Sequence, residues 1–227
     1  MDINAIYKPA LTFFRTRRVR AFFNTNHIGP QSRILDVGGN MFFWNLAEQE
    51  GLPVPREITI LNTSGSNQDL PPHVLWIKGD ACSMPFADNE FDVAFSNSVI
   101  EHVGDSRSQR AMASEVRRVA RSHWVQTPDP RFPIEPHYLT PFIHWIPLAQ
   151  RRRFLRNATV WGLITRPSDS QIDERLSEIR LIHQSEFRSF FPDSRIIVER
   201  FWGLPKALVA VRNLVPDTGP GGSLRAA

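Results

Sequence analysis

An acid and two glycines at the end of an apolar run are the first residues here able to do chemistry. In Arg33-Ile34-Leu35-Asp36-Val37-Gly38-Gly39-Asn40, Asp36 interrupts Ile34, Leu35 and Val37 just before the glycines. Such a run suits a central parallel strand covered on both faces. A charge inside it is costly unless something meets it. A ligand would do so, because open α/β sheets bind ligands at the carboxyl ends of their strands. Gly38 and Gly39 would let the backbone turn sharply and come close to that ligand. The plainer alternative is a tight strand-to-helix turn with no ligand. The register Gly38, Gly39, Asn40, Met41, Phe42 lacks the third glycine of a dinucleotide fingerprint and the lysine of a phosphate loop. Bulky Phe42 also argues against a pyrophosphate on the helix start.

The elements that must hold this turn alternate. Residues 8–24 read as a helix with Leu11, Phe14, Val19, Phe22 and Phe23 roughly on one face. Its arginines Arg15, Arg17, Arg18 and Arg20 lie mostly elsewhere. They are either the solvated side of a capping helix or part of a lid or anion-facing surface. Strands are expected at 57–62, 73–78, 91–96 and 123–126, with helices at 41–50 and 105–121. Asp105 is the expected N-cap of the latter. Residues 63–72 hold turn formers and no helical period.

Residues 129–181 break the rhythm and read as an insertion after the fifth strand, with a helix near 170–179. A helix at 185–191 comes next. Strands at 194–201 and 206–212, joined by Trp202-Gly203-Leu204-Pro205, form an antiparallel pair at the sheet edge. The expected architecture is α/β: a Rossmann-like, doubly wound, seven-stranded sheet, mostly parallel with an antiparallel final strand, helices on both faces. It is read as a single domain over residues 1–217, with a frayed, disordered tail at 218–227.

With 227 residues, 41% of them hydrophobic and 22% charged, the chain can bury a sizeable core. A lone Cys82 excludes an internal disulfide and a cysteine-based zinc site, and suits a reducing compartment. The chain has no run of eighteen apolar residues and no signal-peptide order, so a cytoplasmic setting without a transmembrane segment is expected. A net charge of +4 allows an acidic partner without demanding nucleic acid. Nothing has metal-ligand spacing or a nucleophile elbow. A homodimer is compatible with all of this.

Four stretches together carry a family resemblance: ILDVGGN, GDACSMPFADNEFDVAFSNSVIEHV, EVRRVAR before HWVQTP, and FFPDSRIIVERFWGLPKALVAVR. With the strand order they resemble the class I S-adenosylmethionine-dependent methyltransferases, in the type 11 domain group, over residues 32–212. The resemblance implies S-adenosylmethionine as cofactor and S-adenosylhomocysteine as product. It implies that Asp36 holds the methionine end, with Gly38, Gly39 and Asn40 forming the turn beside it. Asp80 would accept from the adenine amine, with the Ala81 amide beside the ring. Ser96 and Asn97, ahead of Ser98, would line the methionine portion and the substrate entrance.

There are two departures. Asn40 and Phe42 stand where further glycines are usual. Asn62 stands where an acid usually clasps the ribose hydroxyls, and its oxygen would accept without the charge that strengthens such a bond. A chain that keeps the fold as a binding or scaffold subunit without transferring methyl groups is therefore the alternative. An RNA methyltransferase is disfavoured by the modest charge and by the lack of an Asn-Pro-Pro-Tyr-type motif after the fourth strand.

For a methyl acceptor that is a hydroxyl or a carbon acid, a nearby base helps. His102, directly after Glu101, is one candidate, or else a histidine held within the fold by that glutamate. Glu135 and His137, in the proline-stiffened Pro133-Ile134-Glu135-Pro136-His137-Tyr138, are the others. His144 reads as packing. Tyr138, Phe142 and Arg152 are expected to face a small-molecule acceptor, acidic or aromatic. Arg152 belongs with Arg151, Arg153 and Arg156, a cluster that a solvated helix face would equally explain.

Overall fold

The computed structural model describes residues 3–66, 69–135 and 140–213; His137 and Tyr138, and the expected tail at 218–227, lie outside them. The element order is α1 (Ile3–Thr25), β1 (Arg33–Val37), α2 (Met41–Gln49), β2 (Glu57–Asn62), β3 (Val74–Lys78), β4 (Phe91–Asn97), α3 (Ser106–Val119) and β5 (Ala120–Pro128). The insertion comes next as β6 (Ile134–Glu135), β7 (Thr140–Pro141), α4 (Leu148–Ala158), α5 (Val160–Thr165) and α6 (Asp169–Ser177). The chain closes with α7 (Gln184–Phe190), β8 (Arg195–Phe201) and β9 (Leu204–Arg212).

Seven strands form one sheet in the order β3-β2-β1-β4-β5-β9-β8. β1 pairs in parallel with β2 on one side and β4 on the other, so the run Ile34–Val37 is central. That position explains its composition: a strand with neighbours on both edges and helices over both faces has no solvent side to accommodate. β8 and β9 are antiparallel, joined by a two-residue turn in which Trp202 and Gly203 both have positive φ. The expected fold class is the observed one.

Boundaries moved in two instructive places. The helix expected to reach Arg121 ends at Val119, and β5 starts at once with Ala120 and runs through Pro128, well beyond the expected 123–126. Apart from Arg121 its residues are all buried, so the alternation that marks a half-exposed strand is missing from the sequence. Within the insertion, α6 begins on a Ser168–Gln171 capping box, close to the expected helix. The arginine cluster at 151–156 lies on α4, the helix-face alternative weighed for it, with Pro147 at its start. α5, capped by Thr159, lies outside the sequence expectations.

The chain divides into two compact units. The first comprises the described residues within Met1–Asn97, Ser114–Val125 and Arg212–Asp217. Its core gathers Phe22 of α1, Phe43 and Trp44 of α2, Phe95 of β4 and Trp124 of β5, with ring centroids 4.2–6.4 Å apart in mostly edge-on or tilted contacts. The second comprises the described residues within Ser98–Ala113 and Gln126–Val211. Its insertion has a small apolar centre of its own, Ile143, Leu155 and Ile172, flanked by Ile146, Leu176 and Ile179.

Candidate active site

At the carboxyl end of β1 the chain turns through Gly38 and Gly39 and enters α2. Gly38 has φ 74°, a conformation open to glycine at little cost, and its N–H donates to Leu61 O at 2.7 Å. Gly39 is required for a different reason. A Cβ there would lie 2.0 Å from Asp36 Oδ2, so the missing side chain is the space the carboxylate occupies. Asn40 caps α2, its Oδ1 accepting from Phe42 N at 2.9 Å.

One turn into α2, Trp44 donates from its indole nitrogen to Asp36 Oδ2 at 2.8 Å. Asp36 is 1% exposed, and its other oxygen, Oδ1, has no hydrogen-bond partner among the described residues. Burial pushes this carboxyl up to about 7, and the tryptophan bond offsets only part of that. Phe42 does not plug the turn: it points outward, 49% exposed, with the Arg15 guanidinium 4.6 Å above its ring.

The neighbouring strand tips are tied to this turn. Asn62, at the end of β2, donates from Nδ2 to Gly39 O at 2.9 Å and, at 3.4 Å, to Gly38 O. Its Oδ1 accepts from the Ser64 N–H and hydroxyl, both at 3.2 Å. The amide orientation is fixed by chemistry, since carbonyls can only accept. The asparagine therefore grips the glycine turn, which an aspartate could not do without setting its oxygen against those carbonyls.

Ser96 is buried at the end of β4 and donates to Val37 O at 3.1 Å, locking two strand tips together. Asn97 accepts from Arg18 of α1 at 2.8 Å. The arginines of α1 are thus not simply solvated: Arg18 reaches the tip of β4, Arg15 covers Phe42 and Arg20 pairs with Glu50. Beyond β3, Gly79 N donates to Asn62 O at 2.9 Å and leads into exposed Asp80 and half-buried Ala81. Asp80 Oδ1 accepts from Cys82 N at 2.8 Å, an Asx turn that fixes the carboxylate and leaves its second oxygen to the outside. All nine residues expected at the cofactor lie in this first unit, on or just beyond the ends of β1 to β4.

The second unit holds the other candidates. Glu101 is buried in a 3-10 turn, accepting from Thr127 Oγ1 at 2.9 Å, whereas the adjacent His102 is exposed. Glu135 is buried in β6 and lines a cavity of about 450 Å³. Phe142 lies outside that lining, 51% exposed and tilted against Trp145. Arg152 also lies outside the lining: its guanidinium pairs with Asp173 of α6. Arg156 likewise pairs with Asp169.

Two residues given no site role from the sequence line the cavity: His144, read as packing, and Arg151, read only as one of the arginine cluster. His144 Nε2 lies 2.9 Å from Pro130 O, and the Trp145 indole donates to the same carbonyl. Because a carbonyl only accepts, Nε2 carries the proton; Nδ1 is a buried acceptor with no partner among the described residues. Burial holds the imidazole below the ordinary histidine range, so it is neutral at neutral pH. No sequence signal separates Arg151 from its cluster neighbours; its contacts with the turn before α4 do.

Residues 53–123 match the family model described as "Methyltransferase domain", type 11. The fold is that of the class I methyltransferases. Among solved structures, the chain is similar to geranyl diphosphate C-methyltransferase from Streptomyces coelicolor, with 13% identity, 86% of this chain and 77% of that one covered, and a TM-score of 0.52. A protein described as a zinc-dependent alcohol dehydrogenase from Rhodobacter sphaeroides shares 12% identity over 86% of this chain and 87% of its own, at a TM-score of 0.55. One described as a methyltransferase from an antibiotic biosynthesis pathway of Anabaena variabilis shares 22% identity over 63% of this chain, at a TM-score of 0.45; the chain spans 60% of its length.

Similarities this distant speak to fold, not to chemistry. No curated protein matches the sequence. Among the described residues no group of three or more His, Cys, Asp or Glu could hold a metal ion, and no helix is long and apolar enough to cross a membrane.

Proposed function

We propose that this chain transfers the methyl group of S-adenosylmethionine to a small molecule, releasing S-adenosylhomocysteine. The observation that carries the reading is the Asp36 carboxylate, buried at the tip of the central strand against Gly39 with one oxygen unmatched among the described residues. An uncompensated buried acceptor is rare unless a ligand completes it. A cationic amino-acid end suits that oxygen, and the exposed, backbone-fixed Asp80 at the next strand but one suits an amine donor such as adenine's. When bound, the cofactor supplies an electrophilic methyl on sulfur. The chain's own part is to hold and orient the two reactants and to take up the acceptor's proton.

Asp36, Gly38, Gly39 and Asn40 would hold the amino-acid end, Asp80 and Ala81 the base, and Ser96 and Asn97 the strand tip beside them. Asn62 enters this reading indirectly, by fixing the glycine turn. Its oxygen reaches a ribose hydroxyl only if it leaves Ser64. For the acceptor's proton the candidates are Glu135 on the cavity wall, exposed His102, and His137, which rests on sequence alone. Oxygen or carbon acceptors are favoured over nitrogen because β4 ends in Ser96-Asn97-Ser98-Val99, with no Asn-Pro-Pro-Tyr-type motif for a base amine.

Titration calorimetry with S-adenosylmethionine and S-adenosylhomocysteine tests the reading. Saturable binding of both is expected. Absence of heat at millimolar cofactor would instead support a non-catalytic binding or scaffold subunit, the reading favoured by the engaged state of Asn62. His137→Ala is expected to slow turnover while leaving cofactor affinity unchanged; wild-type rates would remove it from the set of bases.

A further inference from the structure

The cavity in the second unit is built, not incidental. Its apolar wall comes from Ile143, Trp145, Leu176 and Ile179, contributed by the turn before α4 and by α6 and its C-terminal flank. Its size falls in the range of small-molecule sites. Three arginines reach it, and their electrostatic states differ. Arg131 is neutralised by Asp129 at 2.6 Å and Arg180 by Glu186 at 2.9 Å.

Arg151 has no such carboxylate partner among the described residues. Its Nε donates to Ile146 O at 2.7 Å and one terminal nitrogen to His144 O at 2.6 Å, both neutral carbonyls. A guanidinium has five N–H donors, so three meet no described residue, including those of the edge facing away from the carbonyls. Two backbone anchors hold the group rigid, which lowers the entropy cost of using that edge. Glu135 also lines the cavity.

We propose that this cavity binds a small amphipathic acid, its carboxylate on the open edge of Arg151 and its apolar body along the Ile143–Trp145–Leu176–Ile179 wall. One guanidinium without a carboxylate partner among the described residues suits a single negative charge, a carboxylate rather than a phosphate dianion. The proposal does not rest on the methyl-transfer reading. The binding itself is independent of the cofactor.

Calorimetry on the full chain without cofactor provides the test, with 4-phenylbutyrate, its uncharged amide and phenylbutyl phosphate as probes. The acid is expected to bind about tenfold or more tighter than the amide, as a charge-assisted bond should give. Arg151→Gln should bring the acid down to the level of the amide, while Arg152→Gln leaves it unchanged. Equal affinity of acid and amide on the wild-type chain, no binding of either, or an acid indifferent to Arg151→Gln overturns the proposal. Tighter binding of the phosphate overturns its assignment as a carboxylate site.

The comparison of acid with amide needs no variant, so it stands even if Arg151→Gln unfolds the turn that Arg151 anchors. Because cofactor binding is measured separately, loss of one result leaves the other intact.

Discussion

The strand tips of the first unit and the cavity of the second place polar groups in opposite ways. At the tips, Asn62, Ser96, Gly38 and Gly79 hydrogen-bond to main-chain atoms of neighbouring strands and turns, and Asn97 to an arginine of α1. Against these engaged groups stands an oxygen of Asp36 that no described residue meets. In the cavity, Arg151 is anchored by carbonyls of its own preceding turn and presents donors that no described residue meets. One region offers an acceptor to a cationic group, the other donors to an anion. Each region can be broken separately.

The largest effect is expected at the acids. Asp36→Ala and Asp80→Ala should each weaken S-adenosylhomocysteine binding by about a hundredfold, as loss of a charge-assisted contact to a bound ligand implies. Melting temperature should fall little in Asp80→Ala, whose side chain is exposed. Calorimetry and thermal melts on the same samples would check both statements. Undiminished affinity in both variants would mean that the cofactor does not use these tips.

Next comes Gly39→Ala. The added methyl would stand where the Asp36 carboxylate lies, forcing it off Trp44. A buried acceptor that loses its donor costs about 1–3 kcal/mol. The fold should therefore be less stable by roughly that amount, read as a lower urea midpoint with unchanged slope. The effect should shrink in an Asp36→Ala background, where the space is empty, and strict additivity of the two substitutions would show that they do not meet.

A smaller, pH-dependent effect comes from the Asp36 carboxyl, raised from 3.8 to about 7. Between those values the unfolded chain has released the proton while the folded one keeps it. Stability without cofactor must therefore fall as pH rises from about 4 to 7 and then level off. Asp36→Asn carries no such charge, so its melting temperature relative to wild type should rise across that window and stay constant above it. A flat difference from pH 4.5 to 8 would show that Asp36 is an ordinary carboxylate.

These two regions were not equally legible in the sequence. The glycine turn, Asp36 and Asp80 are neighbours of apolar runs, so a strand period and a pair of glycines place them at strand ends without knowledge of packing. The cavity draws on residues between Pro130 and His183, from one short strand, two helices and the turns around them. No local pattern says which side of α4 faces inward. Arg152 and Arg151 are indistinguishable as letters, and only the anchoring of Arg151 by Ile146 and His144 separates them. Asn62 reads from sequence as a weakened ribose ligand because its own partners, the carbonyls of Gly38 and Gly39, are backbone atoms that composition does not show.

The smallest effect tests the contrast within the arginine cluster. Arg152 and Asp173 are both substantially exposed, at 57% and 42% of their side chains, and link α4 to α6 on the surface. Such pairs contribute about 0–1 kcal/mol because water and salt screen them. Arg152→Gln should thus lower the melting temperature by no more than a few degrees, and less in high salt than in low. Arg151→Gln removes donors from two carbonyls in a partly buried turn, a loss salt cannot screen, so its cost should be similar at both ionic strengths. If the two variants showed the same salt dependence, Arg151 would belong with the solvated face of α4 and the contrast between its anchored state and the surface pairs would dissolve.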